Sequence, residues 1–447
     1  MKKIILAIAL LSMKMDLFAQ NKDQHVILIS IDGLRPEFYK DPQWGMVHLR
    51  QALSNGSYAN GVNSVFPSVT YPSHTSMVTG VLPLKHGIYY NTPAEPLGIT
   101  GKWNWEYEKI KVPTLFSVAK SNGLITASIF WPVSVGNGAH YNIPEYWYLP
   151  KQKGEEREMI QALSDAALPK GFYEEIKANA IGKVTTIDYN ANYFGIDDIN
   201  TKAACYTIRN YKPNFLALHL VTVDHFEHEQ GRDGDKVRKS IAVVDNAIQQ
   251  LMEAVDKAGL KDKTTFIITG DHGFVDIHTA IHPNVWLTKA GLYDPNHPEN
   301  WKAYFHSAGG ATFLILRNHT DLVTKKKVED ILSLLPNNEK AMFDIKDRKA
   351  LDNAGADGNA ILALAPKKGF TFGNNKTGAV FTPAKGGTHG FFPDFKEIQT
   401  GFVAFGNKIK QGEVIEEMNL IDVAPLISNL LGIEMKTDGK VPRQILK

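Results

Sequence analysis

Cysteine is almost absent from this sequence. The 447 residues include only Cys205, which excludes an intrachain disulfide, so packing or bound metal must stabilise the fold. Short repeats and low-complexity segments are also absent. Because 43% of the residues are hydrophobic, a chain of this length can bury a large core, either as one α/β domain or as a domain with a sizeable insertion.

The N-terminal segment lacks an apolar run long enough to span a bilayer. Lys2 and Lys3 precede a short apolar run (4–11), and the small residue Ala19 follows. This order is typical of a secretory signal peptide, so we expect residues 1–19 to be cleaved and the protein to be periplasmic or secreted. We expect no membrane span in the mature chain and, since no cysteine follows the run, no lipoprotein anchor.

Neither sign of charge dominates the composition. The formal net charge is +2, and removal of residues 1–19 takes away three lysines and one aspartate, which leaves the mature chain neutral. A neutral chain has no field that attracts nucleic acid, so we expect a small-molecule substrate and no nucleic-acid polymer as partner. The composition does not indicate an oligomeric state.

Apolar runs and helical periodicities alternate along the chain. The runs without polar alternation predict strands buried on both faces, at 25–32, 125–132, 214–224 and 264–273. Apolar residues at three- and four-residue spacing predict helices within 111–122, 236–259 and 420–431. This alternation predicts an α/β fold with a doubly wound, mainly parallel sheet flanked by helices, in which ligands bind at the carboxyl ends of the strands.

Residues that ligate metals follow three of these strands. Each of them alone is an ordinary turn, cap or surface residue, but their combination is improbable by chance. Asp224 and His228 are four residues apart, so one helical turn would place both on the same face. Three aspartates and three histidines form a mixed N/O set that suits two zinc ions better than calcium or magnesium. The six candidates are Asp32, Asp224, His228, Asp271, His272 and His389.

The segment FPSVTYPSHTSMVTG (66–80) places Thr70 at the beginning of a predicted helix. A threonine at this position commonly caps the helix through its hydroxyl group. The alternative is that the same hydroxyl takes part in chemistry, and the segment alone leaves both interpretations open.

These motifs together resemble the alkaline phosphatase superfamily and, more closely, the nucleotide pyrophosphatase/phosphodiesterase family. The resemblance covers nearly the whole mature chain, and its ordered series of ligands is specific although each piece is not. It implies an alkaline-phosphatase-like fold. The motifs are ISIDGLRPE (29–37), FPSVTYPSHTSMVTGVLPLKHGIYYN (66–91), IFWP (129–132), VDHFEHEQG (223–231), ITGDHGF (268–274), GTHGF (387–391) and NLIDVAPLISNLLGI (419–433).

The resemblance also implies roles for individual residues, beginning with two zinc ions per chain. One ion would be held by Asp224, His228 and His389. The other would be held by Asp32, Asp271 and His272, with the oxygen of Thr70 as a further ligand. Thr70 becomes the nucleophile that forms a phospho-threonine intermediate, and Asn91 donates a hydrogen bond to a phosphoryl oxygen. Tyr89 and Trp147 stand where relatives have aromatic residues that stack on a base, although core packing explains either nearly as well.

Departures from neighbouring families narrow the predicted reaction. Sulfatases use a cysteine or serine where this chain has Thr70, so sulfatase activity is not expected. The monoesterase branch has a Lys-x-Arg pair where this chain reads Phe130-Trp131-Pro132, which favours an esterified phosphoryl group. We therefore predict zinc-dependent hydrolysis of phosphodiester or nucleotide pyrophosphate bonds. The alternatives are a phosphonoacetate-type hydrolase or a monoesterase and, in another class, a non-catalytic binding protein on this scaffold.

The last two ligands are separated by a long segment, which predicts an insertion. We expect residues 20–273 and 389–447 to form the catalytic core and residues 274–388 to form an inserted α+β cap subdomain. His278, His282 and His306 in this segment are expected to be structural or solvent-facing. The acidic stretch 344–358 lacks a glutamate at calcium-loop spacing, so no calcium site is predicted there.

Overall fold

An eight-stranded sheet forms the centre of the protein, which was analysed as a computed structural model. The structure describes residues 23–97, 101–147, 149, 159–185, 188 and 193–447. The predicted signal peptide (1–19) lies outside these residues.

The strands alternate with helices as predicted. In chain order the strands are β1 (His25–Ile31), β2 (Gly56–Ala59), β3 (Val62–Asn63), β4 (Thr126–Trp131), β5 (Tyr141–Pro144), β6 (Phe215–Leu220), β7 (Thr264–Thr269), β8 (Val275–Ile281), β9 (Ala303–Ser307), β10 (Thr312–Leu316), β11 (Phe343–Lys346), β12 (Ala363–Pro366), β13 (Gly369–Phe372), β14 (Phe381–Pro383), β15 (Gly387–Thr388), β16 (Phe402–Gly406), β17 (Val414–Ile415) and β18 (Met418–Asn419).

The α-helices range from one turn to six turns in length. They are Pro36–Lys40, Val47–Leu53, Thr70–Thr79, Pro83–His86, Leu115–Ser121, Met159–Ala166, Phe172–Ile176, Tyr193–Tyr211, Thr222–Gln230, Asp235–Lys257, Pro283–Lys289, Leu322–Ser333, Asn337–Lys340, Arg348–Asn353 and Val423–Leu431, with a π-helix at Lys177–Ile181.

The central sheet has the order β17-β2-β16-β7-β1-β6-β4-β5. Strand β1 pairs in parallel with both β6 and β7, and the parallel pairing continues through β4 to β5. Within this sheet only β16 runs in the opposite direction, since it pairs antiparallel with β7 and with β2. The predicted α/β class with a mainly parallel sheet is therefore confirmed.

Helices cover both faces of this sheet. Ile27, Ile29 and Ile31 of β1 pack into the apolar cluster that contains the helices Tyr193–Tyr211 and Asp235–Lys257. Val26 and Leu28 point to the other face, into the cluster of the helix Val423–Leu431. Because alternate residues of a strand face opposite sides, burial on both sides requires the unbroken apolar run seen in the sequence.

Two predicted strands are too long, and the run 264–273 forms β7 only as far as Thr269. The run 214–224 forms β6 only as far as Leu220, and the chain then turns into the helix Thr222–Gln230. Asp197 causes this early turn, because its buried carboxylate accepts hydrogen bonds from the N–H groups of Val221 and Thr222 (2.8 and 3.1 Å). Asp224 consequently lies in the first turn of a helix rather than at the end of a strand.

Residues 274–388 form sheets and an apolar core of their own. Strands β9 to β12 make an antiparallel sheet, and β8 pairs with β13, β14 and β15. One apolar cluster extends from Ile281 to Phe372 without buried members from the rest of the chain. Strands β8 and β15 are paired where the segment begins and ends, with Val275 opposite Thr388. This arrangement supports the proposed division into core and cap, which stays a prediction.

Long apolar helices are not a feature of the described part of the chain. No helix among these residues combines the length and the hydropathy needed to cross a bilayer.

Candidate active site and metal centre

The carboxyl edge of the central sheet collects the candidate ligands. Asp32 follows β1, and Asp271 and His272 lie just beyond β7. The helix that begins directly after β6 carries Asp224 and His228. Since β7, β1 and β6 are parallel neighbours, their carboxyl ends meet at one place. Residues far apart in the sequence are thereby brought into contact.

Three ligand atoms converge in the first group. Asp224 Oδ1 lies 3.4 Å from His228 Nε2 and 3.4 Å from His389 Nε2. The two Nε2 atoms are 3.1 Å apart. Ligand atoms bound to a tetrahedral zinc ion at about 2.0–2.2 Å lie about 3.3–3.5 Å from one another, so this triangle has the size of one face of such a site.

Backbone carbonyls orient both histidines of this group. His228 Nδ1 donates to the carbonyl oxygen of Gly387, and His389 Nδ1 donates to that of Ser68, each at 3.0 Å. With the proton on Nδ1, the neutral ring presents a lone pair on Nε2. This is the arrangement that histidine ligands of metals commonly show.

The second group contains Asp32, Asp271 and His272. His272 Nε2 lies 3.3 Å from Asp32 Oδ1 and 3.1 Å from Asp271 Oδ2. Asp271 Oδ1 accepts hydrogen bonds from the N–H groups of Gly33 (3.1 Å) and His272 (3.0 Å), which leaves Oδ2 for the group. Asp224 also lies within ligand distance of Asp32 and His272, so the two groups adjoin.

Several of the converging atoms have no hydrogen-bond partner. Asp32 Oδ1, Asp224 Oδ1, Asp271 Oδ2 and His272 Nε2 are all buried and unpaired. Buried polar atoms in native proteins are nearly always paired, and an ion is a common explanation for exceptions. The donor set therefore fits bound metal.

The electrostatics of the site also favour a cation. Burial and the nearby Asp224 carboxylate raise the pKa of Asp32 well above its ordinary value, and burial together with Asp32 does the same for the pKa of Asp271. Burial lowers the pKa of His272 well below its ordinary value and that of His389 to about 4. Crowded carboxylates beside neutral imidazoles are stabilised in their ionised form by a positive charge.

Thr70 is the first residue of the helix Thr70–Thr79, and only 6% of its surface is exposed. The N-cap residue is Val69, and the helix has no capping hydrogen bond from the side chain of its N-cap residue. The capping interpretation of Thr70 is therefore not what the structure shows.

The residues around Thr70 contact both groups of ligands. Two residues before it, the carbonyl oxygen of Ser68 holds His389. His74 Nδ1 donates to the carbonyl oxygen of Thr70 (2.8 Å) and lies 3.7 Å from Asp271 Oδ2. The hydroxyl of Thr70 thus belongs to a segment that connects the two groups.

Among the described residues, the first turn of this helix has one backbone N–H group without an acceptor. Asn91 Oδ1 accepts from the N–H of Tyr71 (2.8 Å), Pro72 has no N–H, and Ser73 donates to the carbonyl oxygen of Val69. Within the described chain, the N–H of Thr70 has no acceptor. The bond to Tyr71 also identifies Nδ2 of Asn91 as the remaining donor of that amide.

The two aromatic candidates pack against different apolar clusters. Tyr89 is half-buried beside the cluster around Phe66 and Phe313, whereas Trp147 packs in a different cluster. Trp103, which sequence reasoning missed, lies between Trp147 and Tyr71 with ring centroids 5.1 Å from each. The two tryptophans in the stretch KWNWEY could have indicated an aromatic cluster at this place in the sequence.

Sequence reasoning also missed residues behind the ligands. His219 is the one polar residue of β6, and its Nε2 lies 3.1 Å from Asp32 Oδ2. A buried ion pair joins Arg35 to Glu227 at 2.7 Å, between the Asp32 loop and the helix of Asp224. Two features of the sequence could have indicated these residues. His219 is a polar residue inside an apolar strand, and Arg35 and Glu227 are charged residues close to candidate ligands.

The three histidines of the segment 274–388 that were not predicted to be ligands have other surroundings. His278 Nδ1 lies 2.9 Å from the hydroxyl of Thr279, and His282 Nε2 lies 2.9 Å from that of Thr382. The ring of His306 packs on Tyr90 with centroids 4.4 Å apart.

The fold and the site together define an α/β protein that has two adjoining groups of candidate metal ligands at the carboxyl edge of its sheet. The chain belongs to the type I phosphodiesterase / nucleotide pyrophosphatase family, whose profile matches residues 26–392. The family predicted from the sequence is therefore confirmed.

Curated relatives agree with this assignment. Ectonucleotide pyrophosphatase/phosphodiesterase family member 3 of Rattus norvegicus is 22% identical over 430 residues, which cover 92% of this chain and 42% of the relative. Venom phosphodiesterase 2 of Crotalus adamanteus is 23% identical over 430 residues, which cover 92% and 45%. The chain thus spans less than half the length of these relatives.

Solved structures share the fold. Human ectonucleotide pyrophosphatase/phosphodiesterase 5 superposes with a TM-score of 0.67 at 17% identity, over 95% of this chain and 100% of that chain. An inactive threonine-to-alanine variant of the murine protein, in complex with AMP, superposes with a TM-score of 0.64 at 18% identity, over 95% and 100% of the two chains. The alkaline-phosphatase-like architecture expected from the resemblance is confirmed.

Proposed function

We propose that this protein is a zinc-dependent hydrolase of phosphodiester or nucleotide pyrophosphate bonds, with Thr70 as the nucleophile. One observation carries the proposal: two adjoining groups of candidate ligands, four of whose atoms are buried and unpaired, lie beside the first turn of the helix that begins at Thr70. Membership of the type I phosphodiesterase / nucleotide pyrophosphatase family supports it.

The six ligands divide into two zinc sites. Asp224, His228 and His389 would hold one ion, and Asp32, Asp271 and His272 would hold the other together with the Thr70 oxygen. A mixed set of carboxylate and imidazole ligands suits zinc. When bound, the two ions would neutralise charge on the phosphoryl group and make the threonine hydroxyl easier to ionise.

Thr70 would attack phosphorus in line with the departing oxygen. The bond from its Oγ1 to phosphorus forms as the ester or anhydride bond breaks, which gives a phospho-threonine; attack of water then releases the product and restores the hydroxyl. The free N–H of Thr70 and Nδ2 of Asn91, whose Oδ1 accepts from the N–H of Tyr71, would donate to a non-bridging phosphoryl oxygen. Donors held in place before the reaction stabilise the charge that develops in the transition state.

The end of β4 favours a diester over a monoester. Phe130 and Trp131 are buried there, and neither supplies a cation that would grip a dianionic phosphate. Relatives named as pyrophosphatases and phosphodiesterases, and a solved relative in complex with AMP, support a nucleotide substrate. Tyr89 and Trp147 are then candidates to contact the base, with Trp103 added because it lies between Trp147 and the residue after Thr70.

The N-terminal layout supports export. Lys2, Lys3, the apolar run 4–11 and Ala19 fit a cleaved leader, and the rat relative is named an ectonucleotide pyrophosphatase/phosphodiesterase. We therefore place the proposed activity in the periplasm or outside the cell.

A comparison of three substrates tests the function. Zinc-loaded protein should hydrolyse bis-p-nitrophenyl phosphate or the p-nitrophenyl ester of thymidine monophosphate at least about tenfold faster than p-nitrophenyl phosphate, which corresponds to about 1.4 kcal/mol in the barrier. A preference for the monoester under matched conditions would assign the protein to the monoesterase branch. Activity on none of the three, with zinc bound, would favour phosphonate cleavage or a non-catalytic role.

A matched pair of variants shows whether the measured activity belongs to this site. Thr70→Val removes the proposed nucleophile, whereas Thr79→Val removes a buried hydroxyl from the far end of the same helix, where it donates to the carbonyl oxygen of Thr75. The activity should be lost only in the first variant.

A further inference from the structure

A buried row of polar side chains lies behind the second group of ligands. Asp32 follows β1, His219 is on the neighbouring strand β6, and Glu145 follows β5, the edge strand beyond β4. All three residues are buried, and His219 is fully inaccessible to solvent. The row therefore runs across the carboxyl edge of the sheet, beneath the candidate site.

The hydrogen bond between His219 and Asp32 has a defined donor and acceptor. His219 Nε2 lies 3.1 Å from Asp32 Oδ2, and a carboxylate oxygen can only accept there, so the ring donates. The opposite ring nitrogen, Nδ1, lies 3.5 Å from Glu145 Oε2. Neither of these two atoms has a hydrogen bond to another described residue. The imidazole is thus placed between two carboxylates.

The orientation of Asp32 follows from this contact. Because Oδ2 is held by His219, the carboxylate presents Oδ1 to His272, 3.3 Å from Nε2. Rotation of the carboxylate would move the ligand oxygen away from the group. Groups that orient a metal ligand in this manner change metal affinity when they are removed.

We infer that His219 is a positioning residue for Asp32 and that Glu145 in turn orients His219. The inference rests on the proposed function, since it takes Asp32 as a zinc ligand, but it concerns a histidine and a glutamate that no metal would touch. It predicts that these residues act on zinc affinity through Asp32, beyond any effect on the packing of the sheet.

Zinc titration of the metal-free full-length protein tests this inference. His219→Phe fills the space without a donor, and we expect it to weaken binding of one of the two zinc ions by about 10- to 100-fold, as loss of such an orienting group typically does. His219→Gln keeps an N–H that can reach Asp32 and should lose less. Glu145→Leu should weaken binding of the same ion, and Glu145→Gln, which keeps a polar group of the same shape beside Nδ1, should retain more affinity.

His25 supplies the matched control. It is a buried histidine at the other end of β1, where its Nδ1 bonds to the carbonyl oxygen of Pro213 (2.8 Å). His25→Phe should leave both zinc affinities unchanged, even if it lowers the unfolding temperature. Circular dichroism at the temperature of the titration checks that each variant is folded. If His219→Phe is not folded, His219→Gln replaces it in the comparison.

The outcomes separate this inference from the proposed function. Normal affinity for both ions in folded His219→Phe, or in His219→Gln and Glu145→Leu if the first does not fold, would overturn the role of His219 while leaving the proposed function intact. An equal loss in His25→Phe would show a general packing effect and would also overturn it. Wild-type protein that binds no zinc would overturn both.

Discussion

The imidazole rings of His272 and His389 lie face to face, with their centroids 3.6 Å apart and their planes 9° from parallel. One ring belongs to each of the two groups of ligands, so the groups are packed against each other. Two stacked imidazolium ions would repel, and burial lowers the pKa of both residues. At neutral pH both rings are therefore uncharged and available as ligands.

Metal content gives the first prediction. We expect about two zinc ions per chain, with loss of both ions and of activity on chelation and recovery on addition of zinc. His389→Ala and Asp271→Ala each remove a ligand from a different group, so each should lower the occupancy of one ion. Elemental analysis of the purified variants measures this.

A histidine of the segment 274–388 provides the control for that experiment. His278 is exposed and lies outside both groups, so His278→Ala should keep the zinc content of the wild type. Active protein that contains only magnesium or calcium would contradict the assignment.

A pH dependence is expected from His306. This residue is buried against Tyr90, and burial lowers its pKa from 6.5 to about 4. Below pH 6.5 the unfolded chain takes up a proton at this residue, while the folded protein does so only near pH 4. The histidine thus lowers the free energy of unfolding as the pH falls between these values.

Replacement of His306 should remove this part of the acid sensitivity. Between about pH 7.5 and about pH 5, wild-type protein should lose about 2 kcal/mol more stability than His306→Phe, since each pKa unit corresponds to about 1.4 kcal/mol. Urea unfolding at both pH values measures the difference, and His319→Phe, at an exposed position, is the control. Identical pH profiles for wild type and His306→Phe would show that the folded protein accepts this proton readily.

The ion pair between Arg35 and Glu227 should respond unequally to loss of either partner. Arg35 also bonds to Glu37 and to the carbonyl oxygen of Arg232, whereas Glu227 has no hydrogen bond to another described residue. Arg35→Met leaves a buried carboxylate unpaired and should cost about 3–5 kcal/mol. Glu227→Met leaves Arg35 with its other partners and should cost less.

The double variant completes this test. Arg35→Met combined with Glu227→Met also removes the buried, unpaired carboxylate, so the double variant should be more stable than Arg35→Met alone. Urea unfolding of the three variants measures the effect. A Glu227→Met variant less stable than Arg35→Met would mean that Glu37 and Arg232 do not compensate Arg35.

Much of the site could be predicted because it rests on local rules. The spacing of Asp224 and His228 places both on one helix face, and the apolar run that precedes Asp32 predicts a strand buried on both sides. Parallel neighbours then bring the strand ends together. The grouping of His389 with Asp224 and His228 required the family resemblance, since nothing in its local spacing connects it to their helix.

The parts that escaped prediction depend on strand order. His219 reads as an interruption of an apolar strand, and only the sequence of strands β1-β6-β4-β5 shows that it lies between Asp32 and Glu145. Trp103 was missed because its contact with Tyr71 joins a loop to the helix Thr70–Thr79, which are separate in the sequence. The early end of β6 depends on Asp197, which lies in a preceding helix.

Thr70 supports the sharpest prediction. If its oxygen is the nucleophile, Thr70→Ala and Thr70→Val should both abolish phospho-enzyme formation and lower turnover by several orders of magnitude. Thr70→Ser keeps the hydroxyl and should retain substantial activity. Since the side chain makes no capping bond, these changes should affect stability by less than the roughly 1 kcal/mol that loss of a cap costs.

Turnover and melting temperature, measured on the same zinc-loaded preparations, separate chemistry from folding. Thr79→Val controls for the loss of a buried hydroxyl from this helix and should keep wild-type turnover. Some residual activity is expected in Thr70→Val, because the six ligands and Asn91 remain to act on a bound diester and water. Near-wild-type turnover in folded, zinc-loaded Thr70→Val would rule out the nucleophile, and the free N–H of Thr70 beside Asn91 would then be the only catalytic contribution of that residue.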